Sequence, residues 1–248
     1  MYYCCGITEK GNMPHNEDAM LIGKNAAVSG TVEQKLEAPF IAAVSDGVSG
    51  ELSGELASKM CMELIRDIKY SGKINLKQKL AEVHRKMAQC GSENKDNHNM
   101  QATLCAIAVN ENGGIQIINV GDSRLYRFRG GRLRQISRDQ SLVQLLFEEG
   151  TITQEELRTH VHRNIIFPVL GNISAEPQID ILPLEGGMKY GDILLLCTDG
   201  LSDYLSPLDI EEILELPKSL PKRLEMLVKK ALEKDCADNI TVVAVVYC

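Results

Sequence analysis

Hydrophobic periodicity along this chain switches from strand-like to helical and back, and the switching leaves few architectures open. Residues 2–8, 19–23 and 40–45 read as strands, with a polar loop expected over 25–38. The period then changes. Leu52, Leu56, Met60 and Leu64 recur every fourth residue, and Cys61, Ile65 and Ile68 widen the stripe, so 51–69 is predicted as an amphipathic helix. A second helix is expected over 75–89. From Ala102 the strand signal returns at 104–109, 115–120, 125–128 and 133–136, broken by Asn-Glu-Asn-Gly-Gly and Arg-Gly-Gly turns, the pattern of an antiparallel meander. Residues 140–149 and 154–159 look helical within an irregular excursion that runs through Gly171. Strands at 179–184, 193–197 and 240–247 complete the set, and helices at 207–216 and 221–234 each carry Pro near the start. Two groups of strands, each with a pair of helices, predict an α+β fold in which two antiparallel sheets pack face to face with helices outside.

A length of 248 residues is compatible with a single domain of this type. The net charge of −7 argues against a nucleic-acid partner, which is bound through an excess of Lys and Arg. No apolar run approaches the roughly 20 residues needed to span a bilayer. The first residues, Met-Tyr-Tyr-Cys-Cys-Gly, lack a basic region followed by an apolar one, so no membrane association and a cytoplasmic location are expected. The eight cysteines are scattered without a Cys-x-x-Cys pair, which predicts reduced, mostly buried thiols.

Chemistry concentrates where apolar strands end in acid. Ser45-Asp46-Gly47 and Thr198-Asp199-Gly200 each close a strand, placing a carboxylate at a sheet rim where glycine lets the chain turn sharply and its carbonyl approach a ligand. Taken alone, each Asp-Gly reads as a polar turn. Two further acidic groups, Asn16-Glu17-Asp18 and Asp238-Asn239, also abut predicted strands. Four such groups gathered in one place would repel one another unless cations lay between them. Oxygen donors without a His or Cys cluster favour magnesium or manganese, and two such ions could activate a water for attack on phosphorus.

These residues resemble the metal-dependent serine/threonine protein phosphatases of type 2C, particularly their bacterial members. The matching stretches run in family order: Asn16-Glu17-Asp18-Ala19, Val44-Ser45-Asp46-Gly47-Val48-Ser49-Gly50, Asn119-Val120-Gly121-Asp122-Ser123-Arg124, Asp139-Gln140-Ser141-Leu142-Val143, the segment from Gly191 to Leu201, and Asp238-Asn239-Ile240-Thr241. The resemblance implies an αββα sandwich and a phosphatase acting on phosphorylated proteins, the products of a serine/threonine kinase. It also implies two divalent ions, Mn2+ or Mg2+, and room for a third. Asp46 resembles the carboxylate that bridges two metals, with the Gly47 carbonyl, Asp199 and Asp238 completing the cluster. Glu17 and Asp18 resemble ligands on the other side, and Asp122 resembles the holder of the third ion. Residues 141–171 resemble the family's flap, with Arg163 as a substrate-binding candidate, and the chain is expected to act as a monomer.

The chain departs from the family in one place that matters for substrate. Three residues before Asn16, where the family usually has a phosphate-gripping arginine, stands Met13, followed by Pro14. Ser49 replaces a common glycine, and Met100-Gln101-Ala102-Thr103 is a weaker form of a small-residue stretch. His15 reads as an ordinary loop residue, His160 and His162 as flap surface, and Arg124 as half of a structural ion pair. Two rival readings remain at this level: a catalytically silent phosphoprotein-binding regulator on the same fold, and a phosphatase of small phosphoesters or of partner-switching regulators of sigma factors.

Overall fold

The computed structural model describes residues 1–48, 52–93 and 100–248. Motif residues Ser49 and Gly50, and Glu51 at the start of the first predicted helix, lie outside the described residues. The chain begins with β1 (Tyr2–Glu9), β2 (Asp18–Ile22), β3 (Asn25–Ala27), β4 (Gly30–Leu36) and β5 (Phe40–Asp46), then forms α1 (Leu52–Arg66) and α2 (Leu76–Glu93). The meander follows as β6 (Leu104–Val109), β7 (Ile115–Val120), β8 (Arg124–Arg129) and β9 (Arg132–Gln135). After α3 (Leu142–Glu148) come β10 (Asp180–Pro183), β11 (Ile193–Cys197), α4 (Asp199–Ser202), α5 (Pro207–Glu215), α6 (Leu220–Glu233) and β12 (Ile240–Tyr247).

These strands form two antiparallel sheets, ordered β4-β1-β12-β11-β8-β9 and β10-β7-β6-β5-β2-β3. Alternate residues of each strand serve different layers. Phe40, Ala42 and Val44 of β5 face the opposite sheet and pack with Met20, Leu194, Leu196 and Val243. Ile41 and Ala43 face outward under α1 and α2. On the far side, Leu195 and Cys197 of β11 meet Ile210, Leu224 and Leu227 of α5 and α6. The layers therefore run helices, sheet, sheet, helices, as expected. Because β5 and β12 are covered on both faces, their sequences read as apolar runs rather than alternations.

Three expectations need correction. The polar stretch 25–38 is not a loop: it contains β3 and β4, and β4 pairs with β1 from Thr8↔Gly30 to Tyr2↔Leu36. As an edge strand it turns Thr31, Glu33 and Lys35 to solvent, which hides its period behind polar residues. The predicted helix at 154–159 is only one 3-10 turn, Glu156–Arg158, with no buried side chain to hold a longer helix. On α1 the buried line is Ala57, Cys61 and Ile65, while Leu56 is 42% exposed. Small residues on the sheet-facing side let this helix lie close against β2 and β5.

Candidate functional site

Antiparallel register sets the first two carboxylates side by side. Asp18 opens β2 and Asp46 closes β5, and the two are direct partners in the ladder. Each continues the alternation that points toward the opposite sheet, through Met20 and Ile22 on one strand and Val44 and Ala42 on the other. From that opposite sheet, Asp199 follows β11 and Asp238 precedes β12. The Thr198 hydroxyl spans the gap and donates to Asp18 Oδ2 at 2.7 Å. The acidic ends of four strands thus meet at one mouth of the inter-sheet layer.

Backbone and amide contacts fix the rest. The Gly47 N–H donates to the Glu17 carbonyl at 3.0 Å. Asn239 acts as a clamp: its Oδ1 accepts from the Glu17 N–H at 2.7 Å, and its Nδ2 donates to the carbonyls of Lys10 and His15 at 3.0 and 2.9 Å. Glycine is required at two close approaches. A Cβ on Gly47 would lie 2.0 Å from the Gly54 carbonyl oxygen, and one on Gly200 would lie 1.9 Å from that of Asn239.

The electrostatics are those of an acidic cluster in need of positive charge. Burial first, and then the neighbouring carboxylates of Asp199, Asp18, Asp122 and Asp238, hold Asp46 well above the ordinary carboxylate range. Asp199 is raised in the same way by burial and by Asp122, Asp238, Asp203 and Asp18. Burial pushes Asp18 up to about 7 against the hydrogen bonds of Thr198 and Thr241. Glu17 and Asp238 are also raised, chiefly by burial. For Asp46 and Asp199 every influence acts upward. Among the described residues no three His, Cys, Asp or Glu side chains are already drawn together as a metal cage. An all-oxygen donor set under mutual repulsion fits hard divalent cations, which would relieve it.

Asp122 stands to one side, in the turn from β7 to β8. Burial, Asp139 and Asp203 push it up to about 7 against the pull of Arg124. Arg124 grips Asp139 through two nitrogens, with Nη2 to Oδ2 at 2.7 Å, as the structural ion pair expected. Arg163, in the segment 141–171, lines one cleft with Asp122, Asp199 and Asp203, so its guanidinium is brought beside the acidic group. His15 is exposed, and Met13 is half-buried with its N–H bonded to the Lys10 carbonyl at 3.2 Å. Sequence reasoning missed Asp203 and Gly54. Asp203 lies one helical turn after Asp199 and donates its N–H to the Asp199 carbonyl at 2.8 Å, so its i+4 spacing was the available signal. Gly54 shows no signal beyond being a glycine near a helix start.

Comparison with known proteins bears on this geometry. The family model for protein phosphatase 2C matches residues 27–237. The serine/threonine phosphatase stp of Listeria welshimeri is 31% identical over 248 aligned residues, covering 96% of this chain and 93% of that protein. The solved structure of the serine/threonine phosphatase Stp1 from Staphylococcus aureus superposes with a TM-score of 0.83 at 28% identity, over 100% of this chain and 96% of that one. The catalytic domain of the serine/threonine protein phosphatase PstP, solved in complex with two manganese ions, superposes with a TM-score of 0.78 at 29% identity over 99% of each chain. A family match across most of the sequence, joined to the same sandwich in the solved relatives, decides the matter: the chain belongs to the protein phosphatase 2C family and is a protein serine/threonine phosphatase.

Proposed function

We propose that this phosphatase hydrolyses phosphoserine and phosphothreonine in proteins at the mouth between its sheets, with Glu17, Asp18, Asp46, the Gly47 carbonyl, Asp199 and Asp238 holding two divalent cations. Manganese or magnesium bound there would lower the pKa of a water and neutralise charge on the phosphate. Asp46 is the central ligand, because it feels the carboxylates of both sheets at once. Asp199 and Asp238 act from one sheet, and Glu17 and Asp18 from the other. The Thr198 hydroxyl occupies Asp18 Oδ2 and so orients the remaining oxygen into the mouth. Asp122, with Asp199 and Asp203 beside it, is the place for a third cation. Arg163 pairs with the phosphate dianion from the flap side.

Residues 1–248 function on this reading as a single catalytic domain, with 141–171 as a flap beside the site. The substrates are proteins phosphorylated by a serine/threonine kinase, and the enzyme works as a monomer in the cytoplasm. No helix among the described residues is long and apolar enough to cross a membrane. The observation that carries the metal assignment is the meeting of Asp18 and Asp46, ladder partners on one sheet, with Asp199 and Asp238 from the other, a repulsion that divalent cations would convert into binding. Asp46→Asn and Asp199→Asn are expected to remain folded, to bind Mn2+ more weakly by calorimetry and to lose about a thousandfold in kcat, as several kcal/mol of barrier lowering disappear. Wild-type turnover and Mn2+ affinity in Asp46→Asn would overturn the assignment.

A further inference from the structure

Far from the acidic mouth, α2 buries a histidine that the chemistry does not use. His84 is 4% exposed, and its Nδ1 accepts a hydrogen bond from the Gly171 N–H at 3.1 Å. Gly171 ends the 141–171 segment, and no other residue fits there: its φ is +87°, and a Cβ would lie 2.1 Å from the Met100 carbonyl oxygen. The next contact leads toward the site. Leu170 pairs with Ala102, whose N–H donates to the Leu170 carbonyl at 3.0 Å, and Ala102 pairs in turn with Gly47.

The residues flanking Ala102 grip the chain on both sides of Gly47. The Gln101 carbonyl accepts the Val48 N–H at 2.9 Å, and the Thr103 N–H donates to the Asp46 carbonyl at 2.8 Å. Asn172 adds a parallel tie, its Nδ2 donating to Gln101 Oε1 at 2.7 Å. A short three-stranded patch therefore runs from the flap's C-terminal root through Ala102 to Gly47, and one imidazole anchors its outer edge to a helix.

We propose that His84 is a positioning residue for phosphate-ester hydrolysis: by accepting the Gly171 N–H it fixes the root of the flap and, through Ala102, the direction of the Gly47 carbonyl. The inference rests on reading Gly47 as a carbonyl ligand. Groups that hold a ligand without touching the metal commonly change metal affinity by about 10- to 100-fold when lost. The tie also depends on protonation, since an imidazolium has no acceptor left to offer Gly171. Among the described residues, the charged groups facing the ring are Arg85 on the same helix and Glu176, whose Oε2 is 3.5 Å from Nε2. Met100, Gln101 and Ala102 present none. Burial, the larger influence, with help from Arg85, outweighs Glu176 and lowers the pKa of His84, so the acceptor form persists through neutral pH.

The test compares His84→Leu, which removes the acceptor, with His84→Asn, whose Oδ1 can stand near the Nδ1 position. Four quantities are measured: Mn2+ affinity by calorimetry, kcat and KM on a phosphopeptide at saturating Mn2+, and amide exchange at Gly171. His84→Leu is expected to weaken Mn2+ binding about tenfold, lower kcat and expose the Gly171 amide. His84→Asn should restore most of all three. In wild type, Gly171 protection corrected for intrinsic rate should hold at neutral pH and fall as the pH is taken below the ordinary histidine range, as far as the protein stays folded. A folded His84→Leu with unchanged Mn2+ affinity and kcat refutes the proposal. If that variant does not fold, pH-independent protection of Gly171 in wild type refutes it instead. Wild-type Mn2+ binding in Asp46→Asn would instead sink the metal reading itself, whatever His84 does.

Discussion

Replacing Gly54 by alanine separates what a helix wants from what the site needs. Gly54 lies in the first turn of α1, and a glycine-to-alanine change inside a helix ordinarily stabilises by about 0.5–1 kcal/mol. Here the new Cβ would stand 2.5 Å from Glu17 Oε2 and 2.8 Å from the Gly47 carbonyl oxygen. A carboxylate can swing aside, but the carbonyl is backbone and is held by its neighbours in the ladder. Overpacking of this kind costs about 1–3 kcal/mol, so the net change in stability is a loss of about 0–2.5 kcal/mol. Catalysis should suffer far more, because both displaced groups are proposed ligands and a misplacement near 1 Å costs roughly 100-fold. Urea unfolding paired with kcat/KM on a phosphopeptide at saturating Mn2+ tests the reasoning. The expected result is a midpoint that is unchanged or lowered in keeping with that loss of about 0–2.5 kcal/mol, and a loss of about tenfold or more in activity. An alanine variant that is both more stable and fully active would show that the close approach of α1 to Gly47 has no functional consequence.

Met13→Arg should lower KM for a phosphopeptide with little change in kcat, since a guanidinium there would add phosphate binding without touching the proposed metal ligands; an unchanged KM in the folded variant would mean that Arg163 or another cation already fills the role. Iodoacetamide at pH 8 should leave turnover intact while a chelator abolishes it, because burial pushes the Cys4, Cys5, Cys61 and Cys197 thiols up to about 12 and leaves them protonated. Loss of activity on alkylation without unfolding, together with indifference to chelator, would point to a cysteine mechanism.

Most of the strands and the acidic rim were legible because both depend on local pattern. Asp46 and Asp199 each end an apolar run, and the run itself announces a strand covered on both faces. What the sequence hid was set by long-range contact. Nothing in Gly30 to Leu36 distinguishes a polar loop from an edge strand until β1 supplies the hydrogen bonds. The rotation of α1, which leaves Leu56 exposed and buries Ala57, follows from how closely the helix can approach Gly47. Asp203 escaped notice because its importance comes from its neighbours and not from its own motif. His84 reads in sequence as one more polar residue on a helix, and only the fold brings Gly171 to its ring.

The acidic mouth is suspended from two separate sheets, with Asp46 on one and Asp199 and Asp238 on the other. Their spacing is therefore gauged by the apolar filling between the sheets, a layer about 10 Å thick. Met20, Val44, Leu196 and Val243 act as a shim whose thickness sets the gap that the carboxylates must bridge. Trimming two carbons from that shim, as in Val44→Ala, should change the spacing of the proposed ligands without altering any of them. Substitutions buried in this layer would then slow the enzyme by more than their loss of stability accounts for, and tolerance to hydrophobic exchange should be narrower here than beneath either pair of helices.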